Sequence, residues 1–275
     1  MEKLPRVIRL YMMSFLKYKY RLILRQTSKL FKFDIYKIYN CNHLNKFRNL
    51  KSIKYLTSSD QKEINFSTNI YLEKLYLRNC IPIGLTKNLH ILKIENIILD
   101  LTGLNLTHLY INNCTCTNLP ETLIFLETNR KVKIPTSIKK LKCSHIKINT
   151  KKYHQIEYLN ATNCKIKYIN RSIKNIHLFN CIVNFEDNYD FKKIRLDFRP
   201  SFKISENITT LGIGNFVGDL SHFHHLRSGI FLRCNISKFP PSLKKLTIIN
   251  SIIEDDITYL KLDILKIKFC KIPLC

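Results

Sequence analysis

The sequence lacks a run of apolar residues long enough to cross a membrane. The apolar stretch near the amino terminus, Ile8 to Leu16, is interrupted by Arg9 and is followed at once by three more basic residues. A helix that spans the hydrocarbon core of a bilayer needs about 20 mostly apolar residues. We therefore expect neither a signal peptide nor a membrane span, and no membrane partner.

Acidic residues are scarce. The 275 residues include 46 Lys and Arg but only 20 Asp and Glu, which gives a formal net charge of +26. Such an excess is typical of chains that bind nucleic acid, an anionic membrane or an acidic partner. No basic block is longer than two residues, however, and Lys, Ile and Asn are abundant together, as in proteins from AT-rich genomes. Nucleic-acid binding is therefore a less favoured function, whereas an acidic protein partner fits the charge.

Motifs with metal-ligand spacing are weak. Cys114 and Cys116 lack the Cys-x-x-Cys spacing of zinc sites, and no second pair follows them. His222, His224 and His225 cluster in SHFHHL and have side chains that can hold a metal, but they fit a loop before a repeat equally well. We predict no metal site and no cofactor.

Motifs with catalytic spacing are equally weak. Gly212, Gly214 and Gly218 resemble a phosphate-binding loop only loosely, because no helix signal follows them. For the Cys and Ser residues, no partnering base can be chosen from the sequence. We therefore predict no catalytic residue and a protein that is not an enzyme.

The stretch from Leu106 to Cys114, LTHLYINNC, carries the pattern that organises the chain. Three apolar residues and a cysteine stand at relative positions one, four, six and nine: Leu106, Leu109, Ile111 and Cys114. This is the leucine-rich-repeat signature, in which a short strand points apolar side chains inward and a cysteine or asparagine closes the following turn.

The same phase recurs along most of the chain. Counted from the first apolar position, twelve repeats begin at Leu72, Leu89, Leu106, Leu123, Ile138, Ile156, Ile173, Phe191, Ile208, Leu226, Leu243 and Leu262. The steps are about 17 residues each. The sequence therefore predicts a repeat solenoid over residues 72–275. We interpret residues 41–71 as a linker with a degenerate capping repeat, in which Leu50, Ile53 and Tyr55 form one imperfect strand.

The ninth position collects cysteines. Six of the ten cysteines fall there: Cys80, Cys114, Cys164, Cys181, Cys234 and Cys270. Free cysteine packs as a small buried hydrophobe, so this column needs no redox or catalytic role. A column of reduced thiols suits a reducing compartment, and we expect a cytoplasmic protein, with the nucleus as the second choice.

The repeats are short. A nine-residue strand and turn leave about eight residues for the return, too few for a helix with two turns, so we expect extended chain, turns or single 3₁₀ turns there. Several returns carry an apolar-Pro-x-Ser/Thr signature: Leu119 to Thr122, Ile134 to Ser137, and Phe239 to Ser242. These segments resemble the short repeats of some amoebal and large-virus proteins. The likeness implies a viral or an amoebal protein, and a viral one would be located in the host cytoplasm.

The fifth position of each repeat points outward from the predicted sheet. Its residues in the first two thirds of the chain are mostly tyrosines and basic residues, which are common in binding hot spots. We predict that Tyr76, Tyr110, Lys142, His177 and Arg195 contact a protein substrate. The alternative is that this alternation marks only a solvated sheet face.

Residues 4–31 differ in kind from the repeats. Their apolar residues have helical spacing, and one face holds Val7, Ile8, Tyr11, Met12 and Phe15. We therefore predict a short helical segment over residues 1–40. The predicted fold class is α+β, with this segment followed by a solenoid whose parallel sheet lies on the concave face. One interpretation of the segment is a cap on the open end of the solenoid.

The same residues also resemble an F-box. The family pattern is matched by Leu4-Pro5, Ile8, Met12, Ser14-Phe15-Leu16, Leu22, Leu24-Arg25, Thr27-Ser28-Lys29 and Phe31. The sequence departs from it at Val7, where an acidic residue is usual, and at Tyr20-Arg21, where Asp-Leu is usual. The resemblance implies that the following residues dock on the linker subunit of an SCF-type cullin–RING ubiquitin ligase: Leu4, Pro5, Ile8, Met12, Phe15, Leu16 and Leu22.

Two functional classes follow. In the first, the chain is a substrate-recruiting adaptor of the ligase, and its repeats bind the protein substrate. In the second, it is a leucine-rich-repeat scaffold that binds protein without a link to a ligase. A basic nucleic-acid-binding solenoid is the less favoured third alternative.

Overall fold

The computed structural model describes residues 55–59, 63–67, 72–183, 185, 189–198 and 203–271. The chain divides into two compact units, Met1–Ile124 with Val132–Pro135, and Phe125–Lys131 with Thr136–Cys275. In both units the described residues form short parallel strands joined by turns.

The first unit alternates main strands with short return strands. Its strands are β1 (Tyr55–Ser59), β2 (Glu63–Asn65), β3 (Lys74–Arg78), β4 (Ile81–Ile83), β5 (Ile91–Glu95), β6 (Ile98–Asp100), β7 (His108–Asn112) and β8 (Thr115–Thr117). The main strands β1, β3, β5 and β7 pair in that order, all parallel. The return strands pair as β2 with β4 and β6 with β8.

The second unit repeats this arrangement. Its strands are β9 (Phe125–Thr128), β10 (Lys140–Ser144), β11 (Lys147–Ile148), β12 (Tyr158–Thr162), β13 (Lys165–Ile166), β14 (Asn175–Phe179), β15 (Ile182–Val183), β16 (Lys193–Leu196), β17 (Thr210–Gly214), β18 (Val217–Asp219), β19 (Ser228–Leu232), β20 (Asn235–Lys238), β21 (Lys245–Ile249), β22 (Ile252–Ile253) and β23 (Ile264–Lys268). The main sheet follows the order β9-β10-β12-β14-β16-β17-β19-β21-β23. Return strands form two three-stranded sheets, β11-β13-β15 and β18-β20-β22.

The phase predicted from the sequence is confirmed. Every predicted repeat start lies two residues before a main strand, from Leu72 before β3 to Leu262 before β23. Each first-position side chain from Leu72 to Leu243 is at most 2% exposed. Alternation along a strand then turns the fourth and sixth positions inward and the third and fifth outward. The interior of each unit is therefore a stack of apolar columns, and burying one such side chain stabilises the fold by about 1.5–3 kcal/mol.

The eighth position bends the chain out of the sheet. In ten of the twelve repeats φ is positive here, and asparagine is the commonest occupant, as at Asn79 (52°), Asn163 (53°) and Asn250 (50°). Asparagine tolerates the left-handed region better than most side chains because its short amide makes local hydrogen bonds. Its amides also join neighbouring repeats: Asn180 Nδ2 donates to Asn163 Oδ1 at 2.7 Å. The asparagine of this turn thus lies one position before the cysteine.

The ninth-position cysteines close the turn from inside. The thiol of Cys114 donates to the carbonyl of Asn112 at 3.1 Å, and that of Cys234 donates to Leu232 at 3.3 Å. Ser251 occupies the same position and donates to Ile249 at 2.9 Å. Where the ninth position is cysteine or serine, its side chain is therefore a small donor to the carbonyl two residues earlier.

The residue before a repeat start ties the return to the preceding repeat. Thr122 Oγ1 donates to the carbonyl of Leu106 at 2.7 Å, and Ser242 Oγ donates to that of Leu226 at 2.8 Å. These bonds explain the hydroxyl of the Pro-x-Ser/Thr signature. Each one satisfies a first-position carbonyl, which would be costly to leave unpaired inside the stack.

The predicted α+β class is wrong. The described residues contain strands, turns and two 3₁₀ turns, Thr150–Lys152 and Ile257–Tyr259, and none of them lies in an α-helix. The fold is a β-solenoid of short leucine-rich repeats. A return of about eight residues has no room for a helix, so the solenoid contributes none. Residues 4–31, to which helices were assigned from the sequence, lie outside the described residues.

The repeat that precedes Leu72 is shifted from its predicted register. β1 pairs with β3 so that Tyr55 lies opposite Lys74. This places Tyr55 at the third position of its repeat rather than the sixth. Position one then falls on Ile53 instead of Leu50. The error arose because a lone repeat with few apolar residues fits two phases.

The main sheet of the second unit ends at an exposed strand. On β23, Leu265 is 48% exposed, although the fourth-position residues of all earlier repeats from Leu75 to Leu246 are buried. Among the described residues, β23 has a main-sheet neighbour on one side, β21.

No helix in the described part of the chain has the length and apolar character that a bilayer span requires.

Candidate binding surface

The fifth-position residues form outward rows, as the sequence predicts. In the first unit, register places Tyr76 beside Lys93 and Lys93 beside Tyr110. The row of the second unit reads Glu127, Lys142, Asn160, His177, Arg195, Gly212, Ile230, Thr247 and Lys266. The shared row is confirmed within each unit. Contact with a substrate stays a prediction for Tyr76, Tyr110, Lys142, His177 and Arg195.

Tyr76 is held by its own neighbours. Its hydroxyl donates to Glu95 Oε2 at 2.8 Å, and Lys93 Nζ lies 4.7 Å from the centroid of its ring. Burial and the hydrogen bond to Glu95 raise the pKa of Tyr76. Tyr110, two strands away in the same row, is half-buried. Tyr76 is thus a neutral, oriented phenol whose hydroxyl is already paired with a carboxylate.

Lys142 is also partly engaged. Its ammonium lies 3.6 Å from a carboxylate oxygen of Glu127 and 5.6 Å from the centroid of the Phe125 ring. The two charged side chains are 41% and 46% exposed, so their ion pair contributes little stability and exchanges readily with another partner.

His177 packs against an aromatic ring and faces two cations. The Tyr158 and His177 ring centroids are 5.4 Å apart, with the planes at 68°. Burial lowers the pKa of His177 to about 4, and the positive charges of Arg195 and Lys193 act in the same direction. The imidazole is therefore neutral at pH 7.

A basic groove runs along the outer side of the second unit's main sheet. It encloses about 1130 Å³, and its basic lining residues are Lys140, Lys193, Arg195, Arg227, Lys244 and Lys245. Two carboxylates, Glu157 and Asp263, also line it. All six basic side chains are exposed. The basic groove therefore carries a net positive charge and is open to solvent.

The third-position row gives the basic groove a regular spacing. In register order it reads Lys140, Tyr158, Asn175, Lys193, Thr210, Ser228 and Lys245. A lysine recurs at every third strand, and neighbouring strands are about 4.8 Å apart, so successive lysine backbones are about 14 Å apart. Polar side chains that can donate and accept hydrogen bonds lie between them.

An apolar pocket adjoins the basic groove. This glycine pocket has a volume of about 240 Å³ and includes Gly212, Ile213, Ile230 and Leu232 in its lining. Its rim includes Phe179, whose side chain is 58% exposed. His177 and Arg195 line both the glycine pocket and the basic groove.

The two glycines of β17 have different roles. A Cβ on Gly214 would lie 2.8 Å from the carbonyl carbon of Asp197, so the backbone approach there requires glycine. A Cβ on Gly212 would have Arg195 Cγ as its nearest neighbour, at 3.1 Å, and that side chain can shift. Gly212 thus leaves the glycine pocket open without being required by the backbone.

The weaker motifs resolve into ordinary parts of the repeats. Gly212 and Gly214 lie within strand β17 rather than in a phosphate-binding loop. His222, His224 and His225 lie on the return before Leu226, with Phe223 buried between them. In the described ranges, no three His, Cys, Asp or Glu residues are grouped closely enough to hold a metal ion.

The paired cysteines are weak candidates for chemistry. Burial raises the pKa of Cys114, and it raises the pKa of Cys116 to about 12. Both groups are therefore neutral thiols at pH 7, whereas a nucleophile or a metal ligand must be a thiolate.

Sequence reasoning missed the third-position lysines and the glycine pocket. The third position points outward for the same reason as the fifth, so the recurrence of Lys140, Lys193 and Lys245 was available as a signal. The pocket depends on one missing side chain at Gly212, which the phosphate-loop alternative treated as part of a loop.

The proposed ligase-docking residues cannot be placed on this surface. They all lie outside the described residues: Leu4, Pro5, Ile8, Met12, Phe15, Leu16 and Leu22.

Among known proteins, similarity to this chain was found in solved structures. No family model matches the sequence, and no curated protein matches it. A leucine-rich-repeat protein of Leptospira interrogans aligns at 17% identity over 86% of this chain and 78% of the other, with a TM-score of 0.46. The plant peptide hormone receptor RGFR1, solved with RGF2, aligns at 12% identity over 82% and 60%, with a TM-score of 0.40.

A third structure is a circular leucine-rich-repeat protein, CroV588. It aligns at 12% identity over 84% of this chain and 58% of the other, with a TM-score of 0.30. All three scores are below 0.5, so the description of the repeats depends on the strand register and buried columns of this chain.

Proposed function

We propose that this protein is a non-enzymatic repeat scaffold that binds a protein partner on the outer face of the second unit's main sheet. One observation carries the proposal: the basic groove and the glycine pocket adjoin, and they share His177 and Arg195. A charged groove beside an apolar pocket is a common composition of a protein-binding surface, in which a few buried anchors supply most of the affinity.

The size and chemistry of this surface favour a macromolecule over a small substrate. A volume of about 1130 Å³ exceeds that of typical small-molecule pockets. The groove is also open to solvent, whereas a catalytic site usually excludes water. His177 titrates well below neutral pH and packs against Tyr158, which limits its use as a proton-transfer group at pH 7.

Chemical cross-linking of the intact chain in cell extract tests the proposal. The face variant carries Lys193→Glu and Arg195→Glu. The matched control carries Lys147→Glu and Lys165→Glu, which changes the net charge equally on the adjacent return strands β11 and β13. We expect the face variant to lose its cross-linked proteins and the control to retain them. Equal retention by both variants would contradict the proposal.

A ubiquitin-ligase adaptor is a second candidate, and it is supported by the F-box resemblance of residues 4–31. In this candidate, the segment recruits the ligase linker subunit and the repeats recruit the substrate. The test is co-purification of the linker subunit with the full chain and with its Leu4→Ala/Pro5→Ala variant. The adaptor function requires that the unaltered chain binds the linker subunit and that the Leu4→Ala/Pro5→Ala variant does not. An unaltered chain that does not bind the linker subunit would exclude this function.

We also propose a reducing location, the cytoplasm or the nucleus. The ninth-position thiols support it, because they act as hydrogen-bond donors in the turns of four separate repeats. Fluorescence imaging of the tagged chain tests this location, and accumulation in the secretory pathway would contradict it.

A further inference from the structure

We propose that the partner of this surface is an acidic protein segment in an extended conformation, with one large apolar side chain that inserts into the glycine pocket. This inference rests on the proposed function and names the chemistry of the partner.

The charge of the basic groove selects an anionic occupant. Six basic residues and two acidic residues line the groove. Within the described residues, Lys140, Lys193, Arg195, Arg227 and Lys245 form no ion pair with an acidic side chain. Complementary charge on a partner would steer the encounter and favour the correct register.

The spacing of the lysines fits an extended peptide. Successive lysines of the third-position row are about 14 Å apart, and four residues of extended chain cover about 13–14 Å. Acidic residues at every fourth position would therefore meet successive lysines. Between two of the lysines, Thr210 and Ser228 offer hydroxyls within reach of a peptide backbone.

A nucleic acid fits the same groove less well. Its phosphates form an uninterrupted negative chain, and Glu157 and Asp263 would repel them. Single-stranded nucleic acids also gain affinity from stacking of bases on aromatic rings. The Tyr158 ring is already packed edge to face on His177. A peptide avoids the repulsion, because its N–H groups can donate to the two carboxylates.

The glycine pocket supplies the anchor. Its volume of about 240 Å³ and the outward side chains of Phe179, Ile230 and Leu232 in its lining suit one leucine-sized or phenylalanine-sized side chain. Arg195 borders both the pocket and the basic groove, so an acidic residue next to the anchor can pair with it. Burial of such a side chain increases affinity by roughly tenfold to a hundredfold.

Fluorescence anisotropy on the intact chain tests the proposal with four defined probes. The first is a twelve-residue peptide with Glu at every fourth position and one central Leu. The second replaces the Leu with Ser, the third replaces each Glu with Gln, and the fourth is a twelve-nucleotide oligothymidylate. We expect the first probe to bind tightest, the Ser probe about tenfold weaker, and the Gln probe to lose the salt dependence of binding.

A cavity-filling variant tests the anchor. Gly212 has no positive φ, so Gly212→Val can adopt the strand conformation while its side chain occupies the glycine pocket. The matched control is Thr247→Val, in the same row but outside both the pocket and the basic groove. We expect Gly212→Val to abolish the difference between the Leu and Ser probes and Thr247→Val to preserve it. If Gly212→Val lowers the unfolding temperature, Ile230→Ser is the second variant, with the same expected loss.

Two outcomes would overturn the inference. One is unchanged discrimination between the Leu and Ser probes in Gly212→Val and in Ile230→Ser. The other is oligothymidylate binding at least as tightly as the first peptide, which would assign the groove to nucleic acid. If no peptide binds while cross-linked proteins still depend on Lys193 and Arg195, the inference fails and the proposed function stands.

Discussion

Arg195 and His177 lie opposite each other on strands β16 and β14, and both line the basic groove and the glycine pocket. Burial is the main reason why the pKa of His177 falls to about 4, and the charges of Arg195 and Lys193 lower it further. The surface thus places a neutral imidazole among cations at physiological pH. His177 can form hydrogen bonds with a partner without adding to the positive charge.

The Arg195→Gln variant tests this electrostatic relationship. Removal of a nearby positive charge stabilises the imidazolium, so the pKa of His177 should rise from about 4 toward its ordinary value of 6.5. Burial remains, so the pKa should stay below 6.5. NMR titration of the His177 ring measures the midpoint. Arg227→Gln is the control, and an equal pKa in the wild type and Arg195→Gln would show that the guanidinium has no influence.

The left-handed asparagines should be sensitive to the backbone as well as to the amide. Asn163 has φ of 53°, and its Oδ1 accepts a hydrogen bond from Asn180 at 2.7 Å. Asn163→Ala should cost about 1–2 kcal/mol, because alanine is strained in this region. Asn163→Gly should cost less, since glycine adopts positive φ freely. Urea unfolding of both variants compares them. Equal losses of unfolding free energy in the two variants would mean that backbone strain at this turn is not what favours asparagine.

At Ser251, the ninth position should accept another small hydrogen-bond donor but not alanine. Ser251 Oγ donates to Ile249 and accepts from the Cys234 amide at 2.9 Å. Ser251→Ala leaves that buried amide unpaired and should cost about 1–3 kcal/mol. Ser251→Cys should retain more stability, because cysteine makes the corresponding contact in other repeats. Thermal unfolding measures both. A Ser251→Ala protein as stable as the wild type would contradict this account of the turn.

In the repeat that begins at Leu226, the ring of the sixth-position residue packs into the space that the fourth-position side chain fills in other repeats. Gly229 occupies the inward fourth position, and a Cβ there would lie 2.9 Å from Cζ of the Phe231 ring. Phe231 is fully buried and fills this space. Gly229→Ala should therefore destabilise the fold by about 1–3 kcal/mol through overpacking. Combined with Phe231→Leu, which removes the ring, the same substitution should cost less than the sum of the two single changes. Additive losses in urea unfolding would show that the two positions do not compete for space.

The sequence allowed the main strands to be predicted, because apolar residues repeat at positions one, four and six with a nearly constant step. The rows of outward residues followed from the same period, as from Tyr76 to Tyr110. The repeat period did not lead to a correct prediction of the all-β class of the described residues. The α+β prediction came from the helical spacing of residues 4–31, which belongs to a different part of the chain from the repeats.

The finer features of the surface were not predicted from the sequence and became clear in the structure. The positive φ of the eighth position was predictable from the sequence, since asparagine occupies this position at Asn79, Asn113 and Asn163. The glycine pocket was not, because its depth depends on how Gly212 lies relative to Arg195 and Ile230. A period identifies which residues share a face, but cavity volume depends on the packing of side chains across three strands.

Quantitative lysine labelling by acetylation is the most direct test of the binding surface. The intact chain is labelled alone and in the cross-linker-free complexes that it forms in cell extract, and the modified sites are read by mass spectrometry. If partners occupy the basic groove, then Lys140, Lys193 and Lys245 should be protected in the complexes, while Lys147 and Lys165 on the return strands should react equally in both samples. Protection of Lys147 and Lys165, with Lys140, Lys193 and Lys245 still reactive, would contradict the account.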